Sequence, residues 1–365
     1  MSLLAHSSTR TVDSGQGVSS QSSVLSPQSC LSQSSIAIIQ TAFIGDVVLA
    51  TPLFEAARVS NPGVRIIGVV RKGCENLLEN NPRIDEVIVW DKRGAHRGLG
   101  GMRHLAGELR RRNIATALIP HRSFRTAVTA LMAGIGVRVG FAKGGGSFLH
   151  TRRVPYRYGI HEVERNLMLA EAAGWRSEGF RPAIFPDDGD RAAVDRELKD
   201  VGGFFAIAPG SVWPTKRWPV ESYVRIGEEF ASRGITAVIS GGQEDADVCA
   251  AVAAGITGSV NLCGRLTLRQ SAELYRRAVF LLTGDTAPQH LGAAVGTRVF
   301  SIFGPTVRRF GFWPYTERGV VIEDEDTDCR PCGAHGPERC PEGTHDCMRR
   351  IAPERVIESI DGNLN

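Results

Sequence analysis

The chain has 365 residues, 42% of them hydrophobic and 22% charged, with a formal net charge of +4. That length accommodates two domains of ordinary size, each with its own core, and the small charge, with arginine spread along the chain, does not point to nucleic acid. No apolar run approaches the roughly 20 residues of a spanning helix and no secretory h-region stands at the N-terminus, so a cytoplasmic protein is expected, with anionic small molecules or a membrane surface left open as partners.

Residues 1–34 are rich in Ser, Gln and Gly and carry too little apolar surface to offset chain entropy, so they read as a disordered extension. From Ser35 onward short apolar runs alternate with amphipathic stretches, the βαβ pattern of a helix-covered parallel sheet. Strands are predicted over 36–39, 64–69, 86–89, 115–119 and 137–141, with helices over 47–59 and 102–112, a third closed by Gly134, and a fourth in "HEVERNLMLAEAAG". Pro182, Pro186, Asp187, Asp188 and Gly189 mark a linker, after which the alternation restarts. Strands over 204–208, 235–240, 260–262, 279–283 and 299–303 enclose helices near 220–233, in "GGQEDADVCAAVAA" and over 268–277. The pattern describes an α/β protein of two Rossmann-like domains: 35–180, 181–350, and a C-terminal helix and tail over 351–365. Ligands of such sheets sit at the carboxyl ends of the strands, so the loops there should line an interdomain cleft.

Three of those loops carry chemistry. "FIGDVVLATP" replaces the glycines of a phosphate-binding turn with Gly45 and a carboxylate, Asp46, at the start of a helix. "APGSVWPTKRWP" puts Ser211, Thr215, Lys216 and Arg217 at a strand end, where lysine and arginine suit phosphate oxygens, although the same cations could be solvated surface. "LLTGDTAPQHLGAAVG" places Gly284, then Asp285 and Thr286 as a cap, before a helix whose first turn would present N–H groups to a diphosphate. In isolation the Asp-Thr pair would only cap a helix, and His290, one turn in, would be a packed histidine.

In that order and separation, the three motifs resemble the glycosyltransferase family 9 heptosyltransferases, which transfer heptose from ADP-heptose to the lipopolysaccharide inner core; "HRSFRTA" is similar to the heptosyltransferase II branch. The resemblance implies a GT-B fold with the acceptor on the N-terminal domain and the nucleotide sugar on the C-terminal one. It implies that Asp46 is the general base of an inverting displacement and that Lys216 stabilises the departing diphosphate. Ser211, Thr215, Gly284, Asp285, Thr286, Ala287 and His290 fall at donor-loop positions. Ala287 and Val212 depart from the family pattern, where glycine and a hydroxyl residue are common. No Asp-x-Asp motif stands at a strand end, so neither a metal nor another cofactor is expected. On the acceptor side Gly45, with a tight turn, Arg122 and Arg125 are the first candidates, and Arg71 and Lys72 follow. The helix N-terminus is expected to lower the pKa of Asp46 and keep it ionised. A lipid-linked acceptor would bring the enzyme to the cytoplasmic face of the inner membrane as a peripheral protein. Rival readings are a family member with another nucleotide sugar or acceptor, and a sugar-nucleotide binding protein without turnover.

Of eight cysteines, four cluster in "CRPCGAHGPERCPEGTHDC". With His335 and His345 nearby, Cys329, Cys332, Cys340 and Cys347 could furnish zinc ligands, form disulfides, or be incidental thiols in a surface loop.

Overall fold

A computed structural model describes residues 34–364, so the Ser-rich extension, Ser34 excepted, lies outside the described residues. The first sheet contains β1 (Ser35–Gln40), β2 (Ile66–Arg71), β3 (Glu86–Trp90), β4 (Ile114–Ile119), β5 (Val137–Phe141) and β6 (Arg152–Val154). All are parallel, in the order β3-β2-β1-β4-β5-β6. The second contains β7 (Phe204–Ala208), β8 (Thr236–Ile239), β9 (Val260–Asn261), β10 (Leu281–Gly284), β11 (Val299–Phe303) and β12 (Gly319–Glu323). Its order, β12-β11-β10-β7-β8-β9, again all parallel, repeats the first sheet when counted from its own first strand. Parallel sheets are covered on both faces, which is why central strands such as SIAIIQ and FFAIA are buried along their whole length.

The first half is covered by α1 (Ile44–Leu49), α2 (Thr51–Ser60), α3 (Gly98–Arg111), α4 (Phe124–Met132) and α5 (Glu162–Ala172). Then come α6 (Asp188–Glu197), α7 (Val220–Ser232), α8 (Ala246–Ala254), α9 (Leu268–Arg277), α10 (Ala287–Ala294), α11 (Asp346–Arg349) and α12 (Pro353–Leu364). No helix among the described residues is long and apolar enough to cross a membrane.

Three local features differ from the sequence pattern. The single helix expected over 47–59 is two, α1 and α2, broken at Ala50. Pro52 has no N–H to donate, and the Thr51 hydroxyl satisfies the Val48 carbonyl instead, at 2.7 Å. Asp187, Asp188 and Gly189, read as linker, form a helix start: the Asp187 carboxylate accepts from the Asp190 N–H at 2.8 Å and the Asp190 carboxylate from the Asp187 N–H at 3.0 Å. β6 and β12 leave no clear apolar run in the sequence because each is an edge strand with little burial.

One apolar cluster joins the halves, combining Ile38, Val48, Leu53 and Leu118 with Ala206, Ala208, Leu274 and Leu291. A second cluster fills the outer side of the second half and includes Val356, Ile357 and Ile360 of α12. Polar bonds also bridge the halves. Buried Arg165 on α5 donates to the Phe310 carbonyl at 2.6 Å, and His161 donates through Nε2 to the Trp313 carbonyl at 2.8 Å. Gly311 is required in that strap: its φ is 90°, and a Cβ there would lie 2.3 Å from the Ile160 carbonyl oxygen.

Candidate active site

In each sheet the strand order reverses beside its first strand, between β1 and β4 and between β7 and β10. Loops leaving neighbouring strands diverge there, which opens a crevice at the carboxyl ends. The two crevices meet in a cavity of 420 Å³, with Phe43–Asp46 after β1 on one wall and Ser211, Val212, Trp213 and Lys216 after β7 and Asp285, Thr286, Ala287 and His290 after β10 on the other.

Asp46 is the third residue of α1, and its Oδ2 accepts from the Phe43 N–H at 3.1 Å. The helix start was expected to lower its pKa, and the structure corrects this. Burial in the cleft wall, followed by repulsion from buried Glu162, pushes it up to about 7, against the Phe43 N–H and the nearby Arg122 guanidinium. A helix of six residues contributes little dipole, and among the described residues no cation makes an ion pair with the carboxylate to offset its desolvation. Gly45 also has a reason other than the expected tight turn: α1 packs against α10, and a Cβ at Gly45 would lie 2.7 Å from Cδ2 of His290.

On the opposite wall Lys216 and Asp285 form a buried ion pair, Nζ to Oδ2 2.6 Å, and Nζ also donates to the Asp285 carbonyl at 3.0 Å. Asp285 accepts further from Thr306 Oγ1 at 2.7 Å and from Gln289 Nε2 at 2.8 Å. Burial opposes its ionisation, but Lys216 and these donors outweigh it and hold its pKa below the usual range. Asp285 therefore orients a lysine, and the expected capping role does not hold: Thr286 is the N-cap residue of α10, with no side-chain cap bond, and Pro288 removes one N–H from the first turn. His290 is buried, with its pKa lowered to about 4 by burial, so the ring is neutral at pH 7.

The remaining sequence candidates are distributed unevenly. Ser211, Thr286, Ala287 and the departing residue Val212 line the cavity. Thr215 does not; its hydroxyl donates to the Pro337 carbonyl at 2.5 Å. Gly284 lies behind the wall, where a Cβ would be 2.9 Å from the Lys216 carbonyl oxygen. Arg122 is exposed and its guanidinium lies over the Tyr156 ring at 4.2 Å, while Arg125 is exposed at the start of α4. Arg71 lines both the main cavity and a neighbouring one of 390 Å³ that also contains Lys72, Lys92, Arg93 and His121.

The cavity residues that sequence reasoning missed include Glu244, Arg93, Thr306 and, as a cleft residue, His335. Glu244 follows β8, the second strand of its unit, where doubly wound folds place an acid against ribose hydroxyls; that position could have signalled it. In the sequence His335 reads only as a metal ligand. The cysteine-rich loop carries it into the cleft by packing on Thr215, whose carbonyl accepts from His345 Nε2 at 2.7 Å. The seven described cysteines are all free thiols, and among the described residues no group of three or more His, Cys, Asp or Glu side chains is arranged to hold a metal ion.

Comparison with known proteins decides the family. The family described as glycosyltransferase family 9 (heptosyltransferase) matches residues 102–338. The chain belongs to glycosyltransferase family 9. It is similar to lipopolysaccharide heptosyltransferase 2 of Escherichia coli K12, 23% identical over 359 residues, covering 90% of this chain and 98% of the relative. Among solved structures, a family 9 glycosyl transferase from Veillonella parvula superposes with a TM-score of 0.82 at 23% identity, covering 91% and 97% of the two chains. The Escherichia coli ADP-heptose lipopolysaccharide heptosyltransferase II does so with a TM-score of 0.76 at 22% identity, over 90% and 98%. As a family 9 glycosyltransferase with this architecture, the enzyme has the GT-B fold, two Rossmann-like units facing one cleft.

Proposed function

We propose that this glycosyltransferase transfers heptose from ADP-heptose to the lipopolysaccharide inner core with inversion, and that Asp46 is its general base. The observation that carries the reading is Asp46 itself: a carboxylate with a pKa of about 7 on one wall of the cleft, opposite an oriented Lys216. A base poised near the working pH accepts a proton in the transition state yet has about half its population ionised beforehand. Asp46 Oδ takes the proton of an acceptor hydroxyl, that oxygen forms its bond to the anomeric carbon, and the bond to the diphosphate breaks on the opposite face. The diphosphate leaves with the electron pair, and Lys216 and the N-terminus of α10 stabilise its added charge. Ser211, Thr286 and Ala287 contact the phosphates, and Glu244 accepts from the ribose hydroxyls. Thr215 and Gly284 act through the Lys216 loop.

The acceptor binds to the 35–180 half. Its anionic groups enter the neighbouring cavity beside Arg71 and Lys92. Lys92 donates to the Thr41 hydroxyl at 2.5 Å and lies over the Trp90 ring at 4.6 Å. Burial, with repulsion from Arg125 and Arg71, lowers its pKa to about 8, and an incoming anion would relieve both.

A thermal-shift panel with ADP, UDP and GDP tests the donor: stabilisation by ADP is expected, and stabilisation by UDP or GDP alone would refute it. Transfer from ADP-heptose by wild type and Asp46→Asn tests the base; near-intact turnover in the variant would refute the mechanism.

A further inference from the structure

Between Asn113 and His161 the chain contains seven Lys and Arg residues and not one Asp or Glu, a local net charge of +7 in a chain whose total is +4. Folding gathers much of this stretch on one side of the first half. The Lys143–Leu149 loop packs on the start of α4: Gly144 lies against Arg122 and Gly146 against Phe124 and Ala127. Lys143 bonds the Tyr158 hydroxyl and, with Arg122, faces the Tyr156 ring. The cations Arg122, Arg125, Lys143, Arg153 and Arg157 are exposed, and none makes an ion pair among the described residues.

Large apolar side chains stand among them. Phe148 is 67% exposed, Tyr158 62%, Phe124 52% and Leu131 45%. Phe124 and Leu131 are seven residues apart on α4 and so share a face. Exposed phenylalanine set among unpaired cations is costly in water and suits the headgroup boundary of a bilayer, where aromatic rings enter the interface and cations meet lipid phosphate.

We infer that the face formed by the start of α4, the Lys143–Leu149 loop and the Tyr156–Tyr158 segment docks on a bilayer bearing anionic lipid headgroups. Arg122, at one edge of this face, is close enough to Asp46 to favour its ionised form, so docking sets the acceptor side of the cleft beside the membrane surface. The inference deepens the proposed function, which has a lipid-linked acceptor, but its test reads binding and not turnover, so either can fail alone.

The test is co-sedimentation of the full chain with vesicles of phosphatidylcholine, with and without phosphatidylglycerol, at low and high salt. Binding is expected only with phosphatidylglycerol and should weaken as salt rises. Lys143→Gln with Arg157→Gln should lower the partition coefficient about fivefold per cation removed, roughly 25-fold together. Phe148→Ser should weaken binding at both salt concentrations, since it removes the inserted ring and leaves the charge intact. An unchanged melting temperature and unchanged stabilisation by ADP confirm that the variants are folded. Equal binding to phosphatidylcholine alone, no binding to either vesicle, or binding that requires added lipopolysaccharide acceptor would overturn the inference. So would Phe148→Ser binding as wild type while RNA competes fully with the vesicles, which would make the face a polyanion site.

Discussion

The two halves share one strand order, and each places an aspartate where the chain leaves a strand at its switch point. In the first half Asp46 is half-buried, with a neighbouring Glu162 and no ion-pair partner among the described residues, and desolvation raises its pKa to about 7. In the second half Asp285 is at least as enclosed, yet Lys216, Thr306 and Gln289 donate to it and hold it ionised. Position in the fold does not set the charge of either acid; the donors around it do. The first is thereby left able to exchange a proton near neutrality, and the second is fixed as the counter-charge that aims a lysine.

The sharpest way to break this contrast is Asp46→Asn, which keeps the shape and removes the proposed base. We expect kcat to fall by roughly 10²- to 10⁴-fold. In wild type, kcat/KM should fall about tenfold per pH unit below about 7, because protonated Asp46 cannot accept a proton. Stability should move the other way. Asp46 has a folded pKa above its unfolded value near 4, so between about 4 and 7 the native state binds the extra proton, and stability falls as pH rises through that window. Asp46→Asn removes this loss, so its melting temperature at pH 8 should exceed that of wild type. A flat wild-type rate profile between pH 5 and 7 would contradict the assignment.

Asp285→Ala should do the reverse and destabilise. It leaves the Lys216 ammonium buried without its counter-charge, at a cost of about 3–5 kcal/mol in urea unfolding. Lys216→Met removes the other partner with a side chain of similar length; it should lose donor-dependent activity, and an unchanged kcat/KM for the donor would contradict the role of the lysine.

The topology was legible because it depends on apolar periodicity, which "SIAIIQ" and "FFAIA" display without ambiguity. The proposed donor loops were legible as motifs, since a strand end followed by Asp285-Thr286 can be seen in one dimension. What could not be read was the assignment of bonds across the chain. Nothing in "PTK" reveals that the Thr215 hydroxyl turns to Pro337, 122 residues away, or that Asp285 binds Thr306 as well as Lys216. The pKa of Asp46 failed for the same reason: the helix start is local and visible, whereas the burial and Glu162 that outweigh it come from packing. Gly45 reads locally as a tight turn, whereas its constraint is an imidazole on the other half.

Gly45→Ala makes that constraint measurable. The added methyl would meet His290 at 2.7 Å, in a buried ring with little room to retreat, so the walls must separate. A cost of about 1–3 kcal/mol is expected for such overpacking, with activity reduced as Asp46 moves from the opposite wall. Combining it with His290→Ala should recover part of the stability, and strict additivity of the two would show that the methyl does not meet the ring.

Thr306→Val is the mildest change and the most direct probe of how Asp285 is held. It is close to isosteric and removes one donor, while Lys216 and Gln289 remain to satisfy the carboxylate. The expected loss is about 1 kcal/mol, the net worth of one hydrogen bond when alternatives persist. Its effect should grow in the Lys216→Met background, because Asp285 then depends on Thr306 and Gln289 alone. If the two losses simply add in urea unfolding, the three donors act independently and the carboxylate is not held by a shared network.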